Sequence, residues 1–268
     1  MRIARYAVAG EVSFGIVEGS VVGGRAGEGP PGPDVEVAAI AGHPFAPFAF
    51  TGERHRLGAV RLLAPVLPSK IVCIGKNYAD HAHEMGSEAP SSPVMFLKPS
   101  TSVVGPGDPI ARPASSERVD YEGELAVVIG RLCRDVPAAS ALDVVLGYTC
   151  ANDVTARDMQ LADGQWTRGK GYDSFCPLGP WVETELDPAD LEIRTTLDGE
   201  VRQDARTSLL LHDVPALIAF ISAVMTLLPG DVILTGTPAG IGPMTAGQTV
   251  AVSVQGIGTL TNPVVARG

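Results

Sequence analysis

Five consecutive apolar residues, Leu125-Ala-Val-Val-Ile129, follow directly on a pair of acids, Glu122 and Glu124. A strand with one solvated face alternates apolar and polar residues, whereas an unbroken apolar run belongs to a strand covered on both faces. Residues two apart on a strand point the same way, so the two glutamates project together at the mouth of that buried strand. Asp153 also follows an apolar stretch, Val144 to Ala151, and can supply a third acid to the same cluster. Clustered carboxylates repel one another unless a cation lies among them, and oxygen-only ligation suits Mg²⁺ or Mn²⁺ over zinc or copper. The residues alone leave two readings open: a cation site, or a Glu-x-Glu pair on the solvated face of an edge strand.

Gly and Pro number 31 and 22 among 268 residues, above the usual share, which favours short strands and many turns over a helical bundle. The length suits one large domain, or one with a small appendage. A net charge of −10 argues against a nucleic-acid partner, which needs basic surface. Cys73, Cys133, Cys150 and Cys176 form no C-x-x-C pair and read as buried fillers in a reducing compartment. Met1–Tyr6 lacks the apolar core of a signal peptide, and the most apolar segment, Ala216–Leu228, falls short of the ~20 residues that span a bilayer. A soluble cytoplasmic protein without a membrane partner is expected. Lys70, Lys76, Lys98 and Lys170 are the lysines among 20 cationic residues. All four lie in segments that also look like site segments, which points to local anion contacts; chance in an Arg-biased composition is the alternative.

Along the chain, Ile3–Val8, Val12–Val17 and Val21–Val22 read as a β-meander, with turns at Ala9-Gly10 and Glu18-Gly-Ser20. A breaker-rich loop follows at Gly27–Asp34, and Val35–Leu63 is ambiguous. The expected division is a small N-terminal β-rich domain, 1–67, and a larger domain, 68–268. In the latter, Ser69–Gly75 reads as a buried strand, Tyr78–Met85 as a helix stopped by Gly86, and Val94–Leu97 as a strand. Asn152 or Asp153 is expected to cap a short helix through Gln160. Asp213 and Pro215 start an apolar helix that ends before Pro229-Gly230, and Val232–Thr235 and Thr249–Val254 are late strands. Strands outnumber helices without regular alternation, which argues against a doubly wound sheet.

Further constellations carry chemistry. His81 and Glu84, three apart on a helix, share a face, so the carboxylate can orient the imidazole as a base; an exposed surface histidine is the alternative. Arg157 and Gln160 share a helical face just after Asp153 and can hold a carboxylate, or form the solvated side of an amphipathic helix. Gly169-Lys-Gly171 places Lys170 in a flexible turn. Leu234–Gly242 can converge backbone N–H groups on an anion, with the Thr237 hydroxyl added, or be a plain glycine turn.

Taken in order, Gly75-Lys-Asn-Tyr-Ala-Asp-His81, Phe96-Leu-Lys-Pro99, Tyr121-Glu-Gly-Glu124, Asn152–Asp158, Gly169-Lys-Gly171 and Leu234-Thr-Gly-Thr-Pro238 resemble the fumarylacetoacetate hydrolase family, in its small acylpyruvase-like and 2-hydroxyhepta-2,4-diene-1,7-dioate isomerase-like branch. The resemblance runs from about residue 68 to the C-terminus, which makes 68–268 the catalytic domain, and the β-rich segment 1–67 also looks like the family's N-terminal accessory domain. It implies a β-rich α/β fold with a mixed β-roll or β-sandwich core, a homodimer, and one Mg²⁺ or Mn²⁺ per subunit on Glu122, Glu124 and Asp153. His81 and Glu84 match the water-activating pair on a lid, and Lys170 joins them as a catalytic candidate. Arg157, Gln160 and Thr237 match substrate-contacting positions; Lys76, Tyr78 and Lys98, in the first two motifs, are further substrate-binding candidates. At Lys76 some relatives have Arg.

The implied activity is hydrolysis or decarboxylation of C–C bonds in 2-oxo or 2,4-dioxo acids of acylpyruvate, oxaloacetate or fumarylacetoacetate type, through an enolate held by the cation. One alternative is an isomerase or decarboxylase of hydroxymuconate-type diacids in aromatic catabolism. A catalytically silent metal- or ligand-binding protein on the same fold is a second.

Overall fold

The computed structural model describes residues 1–19 and 34–267. The strand expected at Val21–Val22 and most of the breaker-rich loop lie outside them. The main strands, in chain order, are β1 (Arg2–Val8), β2 (Glu11–Glu18), β3 (Glu36–Ala41), β4 (Ala49–Arg56), β5 (Ile71–Gly75), β6 (Val94–Lys98), β7 (Gly123–Ile129), β8 (Val145–Asn152), β9 (Cys176–Glu183), β10 (Glu192–Leu197), β11 (Glu200–Arg206), β12 (Val232–Leu234), β13 (Thr249–Val254) and β14 (Gly258–Ala266). Among the described residues the α-helices are α1 (Ala79–Glu84), α2 (Arg157–Ala162), α3 (Thr167–Lys170) and α4 (Val214–Val224).

Among the described residues, a twelve-stranded sheet runs β4-β3-β2-β1-β9-β8-β7-β12-β5-β6, with Arg61–Leu63 against β1 and Val103–Val104 against β9. A five-stranded sheet runs β11-β10-β13-β14 and ends on Ile110–Arg112. A three-stranded sheet sets Val119–Tyr121 between Thr155–Ala156 and Gly242–Pro243. Parallel pairs, such as β12 with β5, interrupt a mostly antiparallel plan. This is the strand-rich, mixed-sheet α/β architecture that was expected.

The unbroken apolar run is explained by β7 lying inside the large sheet, flanked by β8 and β12, with every residue buried. Leu125, Val127 and Ile129 enter a cluster that holds Leu217, Ile218 and Ile221 of α4. Ala126 and Val128 enter a second cluster with Ile71, Leu178 and Val232. Each such aliphatic side chain contributes roughly 1.5–3 kcal/mol on full burial, so β7 is a rigid base for what stands at its ends.

The β1–β2 hairpin turns at Ala9 and Gly10, both at positive φ (50° and 88°), as a two-residue turn matching the twist of its strands. The ambiguous stretch Val35–Leu63 holds β3 and β4; β3 extends the sheet beside β2, and β4 forms its exposed edge. Strand β1 pairs with β9, which joins the N-terminal strands to the rest of the sheet. Helix α4 starts as expected, with Asp213 Oδ1 accepting the Ala216 N–H at 2.9 Å. It stops at Val224, earlier than expected, because Leu227 leaves to bridge Cys133. All four cysteines are free and buried.

Candidate active site

Strands β7 and β8 are antiparallel, with Gly123 opposite Asn152. The start of one therefore lies beside the end of the other, and Asp153 is brought to Glu122 and Glu124. One carboxylate oxygen from each of the three acids lies within 4.8 Å of the others, and all three are buried. The strand ends are stitched together: Asn152 Oδ1 accepts the Glu122 N–H (2.9 Å), and the Asp153 N–H donates to Glu122 O (2.8 Å). Asn152 and Asp153 consequently do not cap α2. That helix starts at Arg157, after the Thr155–Ala156 strand, without a side-chain cap.

Buried cations surround the acids. Lys170 Nζ donates to Glu122 Oε2 (2.6 Å) and Asp153 Oδ2 (2.7 Å). Lys98 Nζ donates to Asp153 Oδ1 (2.6 Å) and Val154 O (3.0 Å). Arg157 donates through Nε to Asp120 Oδ2 (2.9 Å), and through its two terminal nitrogens to Gln160 Oε1 and Glu122 Oε1. Burial raises the Glu122 carboxyl, but the charges of Lys170 and Arg157 outweigh it and hold the group well below the usual range. Glu124 goes the other way: burial, then the charges of Asp153 and Glu122, push it well above the usual range. The charge of Lys170 and the Gly236 N–H, which donates to Oε2 at 2.6 Å, oppose this without overcoming it.

This donor set fits a hard divalent cation: three buried carboxylates, oxygen atoms only, and a Glu124 Oε1 that takes no hydrogen bond among the described residues. Because the raised Glu124 carboxyl must ionise to serve a cation, Mn²⁺ uptake is expected to release protons and to strengthen as pH rises. Calorimetric titration in PIPES and in Tris should then give binding enthalpies that differ with the ionisation enthalpy of the buffer. The same enthalpy in both would show that Glu124 is already ionised.

Glu122 and Glu124 open into a cavity of about 290 Å³, lined also by Lys76, His81, Arg157, Gln160, Lys170 and Thr237. His81, on α1, is 5% exposed, and its Nδ1 lies 3.1 Å from Glu84 Oε2. His83, two positions on, faces solvent, so one of the two helix histidines belongs to the cavity. Glu84 Oε1 also accepts the Gly240 N–H (3.0 Å), which ties α1 to the glycine-rich loop after β12. The anions that this loop's amides meet are the protein's own carboxylates, Glu84 and Glu124.

Other candidates stand differently from expectation. Lys170 is not in a flexible turn; it ends α3 and is 2% exposed. Lys98 does not line the cavity, because its ammonium is spent behind Asp153. Tyr78 is likewise behind the wall, buried and bridged to Leu210. Lys70 pairs with the buried Asp231. Among the described residues no carboxylate pairs with Lys76, which stands on the cavity wall at φ 57°. The Thr237 hydroxyl donates to Gly123 O (2.9 Å) and accepts from Gln203 (2.8 Å), so its proton is not offered to the cavity.

Sequence reasoning missed the apolar wall of Met85, Leu161 and Trp166. Trp166 packs 2.6 Å from where a Gly75 side chain would begin. It also missed Asp120, although Asp120, Glu122 and Glu124 alternate at strand spacing and that spacing was a usable signal.

A family model described as fumarylacetoacetate (FAA) hydrolase C-terminal matches residues 70–265, and one described as Rv2993c-like, N-terminal matches residues 1–65. The chain is 56% identical to 5-carboxymethyl-2-hydroxymuconate delta-isomerase from Mycobacterium smegmatis, covering 99% of this chain and 100% of that one at a TM-score of 0.90. It is 54% identical to 2-hydroxyhepta-2,4-diene-1,7-dioate isomerase from Mycobacterium marinum, covering 100% and 99% at 0.91. A maleylpyruvate hydrolase from Sphingobium, solved with manganese(II) and pyruvate, is 32% identical over 100% of both chains at 0.79.

Proposed function

The chain belongs to the fumarylacetoacetate hydrolase family, and from that premise we propose that it is a Mg²⁺- or Mn²⁺-dependent enzyme that moves a proton next to the carbonyl of a 2-oxo diacid. The observation that carries this is the placement of Glu122, Glu124 and the Glu84-oriented imidazole of His81 on one cavity, with Asp153 clustered against the two glutamates. Glu122, Glu124 and Asp153 would hold the cation, which when bound supplies Lewis-acid polarisation of the 2-oxo group.

The chain's own residues supply the rest. Gln160 gives its oxygen to Arg157 and leaves its amide N–H groups for a substrate carboxylate, beside the guanidinium hydrogens that Arg157 has not spent. Lys76 is the proposed contact for the far carboxylate, and Met85, Leu161 and Trp166 pack the chain between. His81 takes the proton of the enol 2-hydroxyl and returns it to a carbon of the chain, leaving the 2-oxo form, with Glu84 holding the tautomer and stabilising the imidazolium. Isomerisation is the leading reaction, supported by relatives of that name at 54–56% identity.

C–C hydrolysis is the second reading, in which His81 activates water. The manganese- and pyruvate-bound maleylpyruvate hydrolase favours it. Purified protein with Mn²⁺ should be assayed on a hydroxymuconate-type diacid, oxaloacetate, acetylpyruvate and fumarylpyruvate, following enol absorbance and pyruvate release. Enol–keto conversion of diacids without pyruvate is the expected result. Pyruvate release selects hydrolysis, and inertness toward all four, or full activity after chelation, would defeat both.

A further inference from the structure

Strand β11 is exposed or half-exposed along its length except at Gln203, which is 1% exposed. Burying a primary amide is costly unless its oxygen and both hydrogens find partners. Gln203 finds all of them on two segments of the active site. Its Oε1 accepts the Gly123 N–H (2.9 Å), and its Nε2 donates to Thr237 Oγ1 (2.8 Å) and Pro238 O (2.7 Å). Thr237 Oγ1 in turn donates to Gly123 O (2.9 Å). The Gly123 peptide is thus held at both its polar atoms in a closed ring of hydrogen bonds: Gly123, Gln203, Thr237 and back.

Gly123 is the residue between Glu122 and Glu124, so its torsions decide how those carboxylates stand relative to each other. A side chain there would run into Thr195 Oγ1, with Gln203 Oε1 at 3.3 Å, so the second sheet presses on the acid-bearing strand at this point. We propose that Gln203 is a positioning residue: it clamps the Gly123 peptide to the Thr237 loop and thereby sets the spacing of Glu122 and Glu124 for a divalent cation. This deepens the metal reading above and rests on it for its consequence, while the clamp itself stands on the hydrogen bonds.

The test uses full-length Gln203→Met, which keeps the side-chain length and removes the three hydrogen bonds. Asn262→Leu is the control, because Asn262 is an equally buried amide whose donors go to Gly105 O and Asp108 O, away from the site. In chelator-treated protein, hydrogen exchange of peptides covering 119–125 and 235–240 should quicken in Gln203→Met and not in Asn262→Leu. Mn²⁺ affinity by calorimetry should weaken about tenfold or more in Gln203→Met, as for other groups that orient metal ligands, and hold in Asn262→Leu. Unchanged exchange in Gln203→Met overturns the clamp. Altered exchange with wild-type Mn²⁺ affinity overturns its role toward the acids. If Gln203→Met does not fold, Thr237→Val breaks the same ring and is read by the same two criteria. Failure of the wild type to bind Mn²⁺ defeats the metal reading alone, and the exchange data still decide the clamp.

Discussion

Asp153→Ala is expected to lose Mn²⁺ binding and about a thousandfold or more in turnover, and to be the most destabilising substitution at the site. The rate follows from removing one of three cation ligands, since Lewis-acid polarisation contributes several kcal/mol and each 1.36 kcal/mol is a factor of ten. The stability loss has a separate origin. Asp153 holds the ammonium groups of both Lys98 and Lys170, whose side chains are 0% and 3% exposed. Removing one partner of a buried ion pair typically costs about 3–5 kcal/mol, because the other charge is left without compensation. Asp153→Asn separates the two effects. It loses the carboxylate charge, so it should bind Mn²⁺ as poorly as the alanine variant, but it keeps an oxygen toward one lysine and should unfold at a higher urea concentration than the alanine variant. Urea unfolding in chelator, beside Mn²⁺ titrations, decides. An alanine variant as stable as wild type that still binds Mn²⁺ would mean that Asp153 belongs to neither network.

The second large effect belongs to His81→Ala. Loss of a positioned proton-transfer group lowers rate by about 10²–10⁴, and that range is expected for diacid isomerisation. Mn²⁺ affinity should stay near wild type, because His81 makes its side-chain hydrogen bond to Glu84 and to none of the three acids. Decarboxylation of oxaloacetate, which needs no base to remove a carbon-bound proton, should keep part of its rate. Glu84→Ala should cost less than His81→Ala, since the imidazole remains, but it also frees the Gly240 N–H. Equal loss of isomerisation and decarboxylation in His81→Ala would refute the division of labour between base and cation.

The acids were legible because they stand where an unbroken apolar run begins and where another ends, and antiparallel pairing makes those two places one. The His81–Glu84 pair was legible from helical spacing. Burial of cations was not. Nothing in Phe96-Leu-Lys-Pro99 says that Lys98 turns inward to Asp153, and Gly169-Lys-Gly171 reads as a loop although it packs as the end of a helix. Glycine-rich amides pointed to an anion, but which anion depended on two carboxylates from distant segments. The strand β4 carries Ala-Phe-Thr-Gly-Glu-Arg-His-Arg on an exposed sheet edge, where no burial imposes a period. Gln203 gave no signal at all: its role comes from a sheet-to-site contact that spacing along one strand cannot reveal.

The parallel pairing of β12 with β5, Val232 beside Ile71, also bears on how the protein comes into being. Strand β7 meets β8 through a nearby connection, whereas its other neighbour, β12, arrives only near the end of the chain, and contacts of such long range make folding slow. Gly236 and Thr237, which hold Glu124 and the Gly123 peptide, come directly after β12. The acids can therefore be brought near one another early, but the pocket closes only once the ribosome has delivered residues beyond Thr237. No nascent or truncated chain ending short of that point contains a finished site.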